Sequence, residues 1–214
     1  MKLNSKKIRV ALTMRVTEAP TYIERRDSIS HDWIKLICEW GMVPFLIPNK
    51  LDNPTEYLDS LSPDILILTG GDDLGKTPGR DKTEFEILAH ALYQNLPILG
   101  ICRGLQLINQ YFGGSLSPVE SHVAIQHPIN FNTEIFPIYG NALLVNSYHN
   151  QTILPAGLGE GLTAVGVDEN GGIEAALCID RPVAGLMWHP ERGGAPANDK
   201  IVIERLALEG IFWR

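Results

Sequence analysis

In the stretch LPILGICRGLQLINQ, Cys102 stands where a strand-length apolar run passes into a segment of helical character, with glycines at 100 and 104. Glycines on both sides remove side chains that would collide in a sharp strand-to-helix turn, the steric logic of a nucleophile elbow. A thiol so placed sits at the carboxyl end of a parallel strand, where open α/β sheets put their ligands. The helix N-terminus behind it favours the thiolate. The competing reading is a small, inert core residue.

A nucleophilic thiol needs a base and a group that orients the base. LMWHPER supplies His189 and Glu191, which face the same way in extended chain, so that Glu191 can hold one ring nitrogen while the other takes the thiol proton. In ILTGGDD, Gly70 and Gly71 end a neighbouring strand; their bare N–H groups, with that of Arg103 after the cysteine, suit the oxyanion that acyl chemistry develops. His122 and His127, in SHVAIQH, have no companion carboxylate or thiol at useful spacing, so no metal site is expected.

The elements that must position these groups alternate between apolar runs of strand length and segments of helical period, the pattern of a parallel sheet covered on both faces. Strands are expected at 8–14, 43–48, 64–70 and 96–102. A helix carrying Ile29, Trp33, Leu36, Ile37 and Trp40 ends at Gly41, and a second spans Asp81 to Tyr93. The second has capping-box spacing at Asp81 and Glu84 and a packing stripe of Phe85, Leu88, Ala89 and Leu92. Shorter strand-like runs follow at 142–147, 162–167, 173–179 and 183–188, with a last helix from about Ala197.

The 214 residues are 44% apolar, enough for a substantial core, and no linker or repeat divides them, so one domain over 1–214 is expected. With 18 basic and 25 acidic residues the net charge is −7, which argues against general affinity for nucleic acid or anionic membrane. Three widely spaced cysteines without a CxxC suggest neither a disulfide framework nor a zinc site and fit a reducing compartment. No window approaches the roughly 18 apolar residues that span a bilayer, so a cytoplasmic protein is expected.

LTGGDD, GICRGLQ and WHPE, in this order and at these separations, resemble the class I glutamine amidotransferase-like superfamily with its Cys-His-Glu triad. ICRGLQLINQYFGGSL, LLVNSYHNQ and GLMWHPE are more similar to its γ-glutamyl hydrolase branch than to ammonia-donating subunits. The resemblance implies a three-layer, flavodoxin-like α/β fold with a mostly parallel sheet, and Cys102 as nucleophile, His189 as base and acid, and Glu191 as orienter. It implies Gly71, with Gly70 and Arg103, as oxyanion donors. It places Gln106 and the stretch Asn146, Ser147, Tyr148 and His149 against the α-amino and α-carboxylate groups of a glutamyl substrate. From the residues alone, Gln106 reads equally as a helix-surface amide, and Ser147 and His149 as a hydrogen-bonded loop.

The first loop, RVTEAPTYIERRDSISHDW, departs from the polyamine-pathway members of that branch. It leaves the carboxyl end of the first strand, so it should border the site. Arg15, Arg25 and Arg26 in it either pair with Glu18, Glu24 and Asp27 or meet an anionic leaving group, since guanidinium suits phosphate. In this the chain resembles relatives associated with capsule and surface-polysaccharide genes, including one whose γ-glutamyl substrate is CDP-linked. The expected function is a cofactor-free hydrolase of a γ-glutamyl amide, with a phosphate-bearing amine or γ-aminobutyrate as leaving group. The alternatives are a glutaminase subunit feeding ammonia to a partner synthetase and a non-catalytic binding protein on the same fold. The aromatic C-terminus, EGIFWR, packs either on its own domain or on a second copy in a homodimer.

Overall fold

The computed structural model describes residues 6–213. The chain runs β1 (Arg9–Thr13), β2 (Arg15–Glu18), β3 (Arg25–Ser28), α1 (His31–Glu39), β4 (Val43–Ile47), α2 (Pro54–Leu61), β5 (Ile65–Leu68), α3 (Pro78–Tyr93), β6 (Ile98–Ile101) and α4 (Arg103–Tyr111). It continues through β7 (Ser117–Pro118), β8 (Val123–Phe131), β9 (Ala142–Tyr148), β10 (Gln151–Thr152), β11 (Leu162–Val167), β12 (Ile173–Cys178), β13 (Val183–Leu186) and α5 (Asp199–Glu209).

Among the described residues, one sheet has the order β4-β1-β5-β6-β13-β12-β11-β8-β9. From β4 to β13 every pairing is parallel, and from β13 to β9 every pairing is antiparallel. The parallel strands, numbered among themselves, stand 2-1-3-4-5, the flavodoxin-like order. β5, β6 and β13 are buried at every residue, as two covered faces require. Side chains alternate between the faces: Val10, Leu12, Ile65 and Ile67 join the core of α1 and α5. Ala11, Leu66 and Leu68 join that of α2, α3 and α4.

The structure corrects several expectations. The capping box at Asp81 does not form, because α3 begins a turn earlier, at Pro78, whose fixed φ and missing N–H suit the first helical position. Its buried face is Thr83, Glu84, Ile87, Leu88, Ala91 and Leu92, rotated from the stripe read off the sequence, because Glu84 is drawn inward by buried arginines. The first loop contains an antiparallel hairpin, β2 with β3. β8, a nine-residue strand whose first half is mostly exposed, is broken by Gln126, His127, Pro128 and Asn130, so it does not read as a continuous apolar run.

The C-terminus packs on its own chain, where Trp213 is buried and donates from Nε1 to the Cys178 carbonyl at 3.1 Å. No helix among the described residues is long and apolar enough to cross a membrane.

Candidate active site

Cys102 ends β6 and opens α4 with φ +50° and ψ −104°, a conformation that costs a non-glycine residue of order 1–3 kcal/mol. Its N–H donates to the Leu186 carbonyl at 2.7 Å, which ties the elbow to β13. The flanking glycines permit helix and strands to touch. A Cβ at Gly100 would lie 2.6 Å from the backbone of Gly104 and Leu105, and one at Gly104 would enter the Leu68 carbonyl.

The thiol is 5% exposed. Burial pushes it up to about 12, against a lowering hydrogen bond from the Arg103 N–H, and the charges of Glu191 and Glu174 raise it further. Desolvation thus opposes the thiolate that the helix N-terminus favours.

His189 lies just beyond β13, the strand paired with β6. Its Nδ1 is 2.8 Å from Glu191 Oε1, while Nε2 is buried and without a hydrogen-bond partner. The ring is held from several sides. Asn146 donates to the His189 carbonyl and accepts from the His189 N–H, both at 2.9 Å, and reaches the Gly193 carbonyl at 3.2 Å. The Tyr148 ring stands perpendicular to the imidazole at 5.6 Å between centroids and carries the Arg192 guanidinium. A Cβ at Gly70 would lie 2.7 Å from His189 Cε1, so only glycine admits the imidazole there.

Gly71, at φ +143°, lines a cavity of about 470 Å³ together with Cys102, Arg103, Gln106, Tyr148 and His149. Any side chain at 71 would overlap the Arg80 guanidinium. Arg80 belongs to a buried ionic network that was not foreseen. It donates from Nε to Glu84 Oε1 at 2.9 Å and from Nη2 to the Thr69 and Gly70 carbonyls, while Arg103 meets Glu84 and Asp81. The only trace of this in the sequence is the i, i+4 spacing of Arg80 and Glu84, which reads equally as a surface pair.

The remaining predicted residues divide. Gln106 is buried, not a surface amide, and its Nε2 donates to the Gln151 carbonyl at 3.1 Å. Asn146 has its amide committed to backbone, and Ser147, fully buried, donates to the His122 carbonyl at 2.7 Å. Both side chains are engaged with backbone. Arg15 lies beside Gly71. Arg25 pairs with Glu18 at 3.4 Å and lines a second cavity of about 580 Å³, which shares Asp72 and Lys76 with the first. Arg26 is turned to Glu24 and Tyr22 at the surface, and Asp27 holds Asn49 instead of an arginine.

The expectation that His122 and His127 have no companion carboxylate fails in three dimensions. β8, β9 and β12 bring His122, His127, His149 and Glu174 together, all buried, because a carboxylate remote in sequence stands on another strand of the same sheet.

The Peptidase C26 family model matches residues 8–191. A γ-glutamyl-CDP-amidate hydrolase of Campylobacter jejuni is 31% identical over 206 residues, covering 93% of this chain and 98% of its own. A putative glutamine amidotransferase-like protein of Lactococcus lactis is also 31% identical, over 82% of this chain and 86% of its own. The solved structure of a putative GMP synthase subunit from Thermoplasma acidophilum superposes with a TM-score of 0.74 at 19% identity, covering 95% of this chain and 94% of that one, a likeness of fold. On the extent of the family match and of these identities, the chain belongs to the Peptidase C26 family, within the class I glutamine amidotransferase group.

Proposed function

We propose that the chain is a cysteine-dependent hydrolase of a γ-glutamyl amide whose leaving amine carries phosphate. The observation that carries the chemistry is the pairing of two adjacent strand ends: the strained Cys102 elbow at the end of β6, and the 2.8 Å His189–Glu191 contact just past β13.

The Cys102 proton passes to His189 Nε2 as sulfur attacks the amide carbonyl carbon. The carbonyl π electrons move to oxygen, which the N–H groups of Gly71 and Arg103 hold. When the intermediate collapses, the C–N bond breaks and His189 gives its proton to the departing nitrogen. Water then attacks the thioester, His189 takes its proton and returns one to the sulfur, and glutamate leaves. Glu191 keeps the ring in the required tautomer throughout.

The cavity around Cys102 suits the glutamyl half, with Gln106, Tyr148 and His149 in its wall. The adjoining cavity suits the amine half: Arg25, Lys50 and Lys76 line it, and although Glu18, Asp27 and Asp72 do too, its cations can meet phosphate oxygens. The Campylobacter relative's nucleotide-linked substrate supports this reading. A panel of γ-glutamyl amides with plain, phosphorylated and nucleotide-linked amines tests it, beside trapping with a glutamine-like electrophile. The expected result is a γ-glutamyl-type adduct at Cys102 and the highest kcat/KM for phosphate-bearing amines. Turnover that appears only when a synthetase is added would overturn the hydrolase, and equal kcat/KM across the panel would overturn the phosphate.

A further inference from the structure

Behind the cavity wall formed by His149, the three histidines and Glu174 present an arrangement that ordinary hydrogen bonding does not satisfy. His122 Nδ1, His127 Nε2, His149 Nε2 and both Glu174 oxygens are buried without hydrogen-bond partners. His149 Nε2 lies 3.3 Å from Glu174 Oε1, and His127 Nε2 lies 3.5 Å from Glu174 Oε2. One ligand atom from each of the four residues falls within 4.8 Å of every other. Donor atoms bound at about 2.0–2.1 Å around a tetrahedral ion stand about 3.3 Å apart, so the widest pair must close by up to about 1.5 Å.

The outer contacts of the histidines favour the same reading. His149 Nδ1 is 3.0 Å from the Gln151 carbonyl, an acceptor, so Nδ1 carries a proton and, in the neutral ring, Nε2 turns its lone pair inward. His122 turns Nε2 toward Asp168 Oδ2 at 3.9 Å, which leaves Nδ1 for the centre. Asp168 itself is fixed by the N–H groups of Asn170 and Gly172 at 2.8 and 2.7 Å. A proton shared by His127 and Glu174 would neutralise the carboxylate, yet leave His122 Nδ1 and His149 Nε2 without a donor. A dication satisfies all four ligands, and its charge balances Glu174 and Asp168 together.

We infer that His122, His127, His149 and Glu174 form a closed four-coordinate site for a divalent transition-metal ion, with zinc favoured by the donor set. Four protein ligands and deep burial make it a structural site, with no position left for substrate or water. It ties β8 and the chain before it to β9 and β12, and so fixes the Asn146–His149 stretch beside Cys102. The Gln151 carbonyl, shared by His149 Nδ1 and Gln106 Nε2, links the ion's outer shell to the helix that follows the elbow. This inference is independent of the proposed reaction.

The test uses the full chain carrying Cys102→Ala, which removes the active-site thiol as a competing ligand and needs no turnover. The chelator-stripped protein is titrated with zinc by calorimetry, and its cobalt(II) form is examined by absorption. The expected result is one saturable equivalent, a cobalt spectrum of tetrahedral intensity without a thiolate charge-transfer band, and at least a tenfold weaker affinity in Glu174→Gln and in His127→Ala. Glu174→Gln is nearly isosteric, and its circular dichroism without metal checks that it folds; should a variant not fold, the cobalt spectrum of the parent decides alone. No one-to-one binding, a weak octahedral cobalt spectrum, or unchanged affinity in a folded Glu174→Gln protein would overturn the site.

Discussion

Two buried ionic groups reach the cavity that holds Cys102, and they are made of opposite chemical materials. In one, Arg80 and Arg103 face Glu84, Asp81 and the carbonyls of Thr69 and Gly70, so that donors meet acceptors. In the other, three histidines and Glu174 turn acceptors and lone pairs toward a common centre. The first group still leaves Arg80 Nη1 and Arg103 Nε unpaired, but its charges are compensated within the protein. The second sets one carboxylate, Glu174, against His127 and His149, and leaves the inward His122 Nδ1 without a partner. Burial and charge do not separate a structural network from a ligand site; the direction of donors and lone pairs does.

The comparison can be broken most severely at Glu84. Glu84→Gln leaves two buried guanidinium groups short of their shared carboxylate, and a loss of about 3–5 kcal/mol in urea unfolding is expected. A loss under about 1 kcal/mol would mean that the arginines are not held as a charged unit. On the histidine side, removing zinc held at a hundredfold excess over Kd should lower stability by about 2.7 kcal/mol, read as a zinc-dependent Tm whose shift Glu174→Gln cuts to about half or less.

Cys102 stands between the two groups and reports on both, since the Arg103 N–H lowers its titration and Glu174 raises it. Burial pushes its thiol up to about 12 from the ordinary 9.0, so the folded protein keeps a proton that the unfolded chain gives up. The stabilisation is complete below pH 9 and lost as pH rises toward 12. Wild type should therefore lose on the order of 1 kcal/mol more than Cys102→Ala between pH 8 and pH 10 in parallel denaturant titrations. The smallest effect belongs to the exposed arginines: Arg25→Ala should raise KM about fivefold for phosphorylated amides alone, and Arg26→Ala should leave every KM unchanged.

What the sequence revealed follows the same division. The parallel half of the fold was legible because strands buried on both faces are continuous apolar runs, and β5 and β6 were located to within a few residues. The elbow and His189-x-Glu191 were legible because their chemistry is local: glycines at fixed offsets, and alternate residues of an extended chain. Arg80, Glu84 and Arg103 were not, because a charged residue on a helix is read as solvent-facing until a partner from another helix is known. The histidine cluster was hidden for a similar reason, its members being spread from position 122 to position 174 and joined only by the antiparallel half of the sheet. Asn146 and Ser147 carried a family pattern that points to substrate, while their contacts go to backbone.

The position of β13 bears on how the molecule is made. It is the last strand of the chain, yet it lies in mid-sheet, joining parallel β6 to antiparallel β12. A chain still being synthesised can assemble the parallel half and pair the antiparallel strands, but it carries two open edges until residues 183–186 emerge from the ribosome. Since His189 and Glu191 follow directly, Cys102 gains these two neighbours only when the two halves close around the final strand.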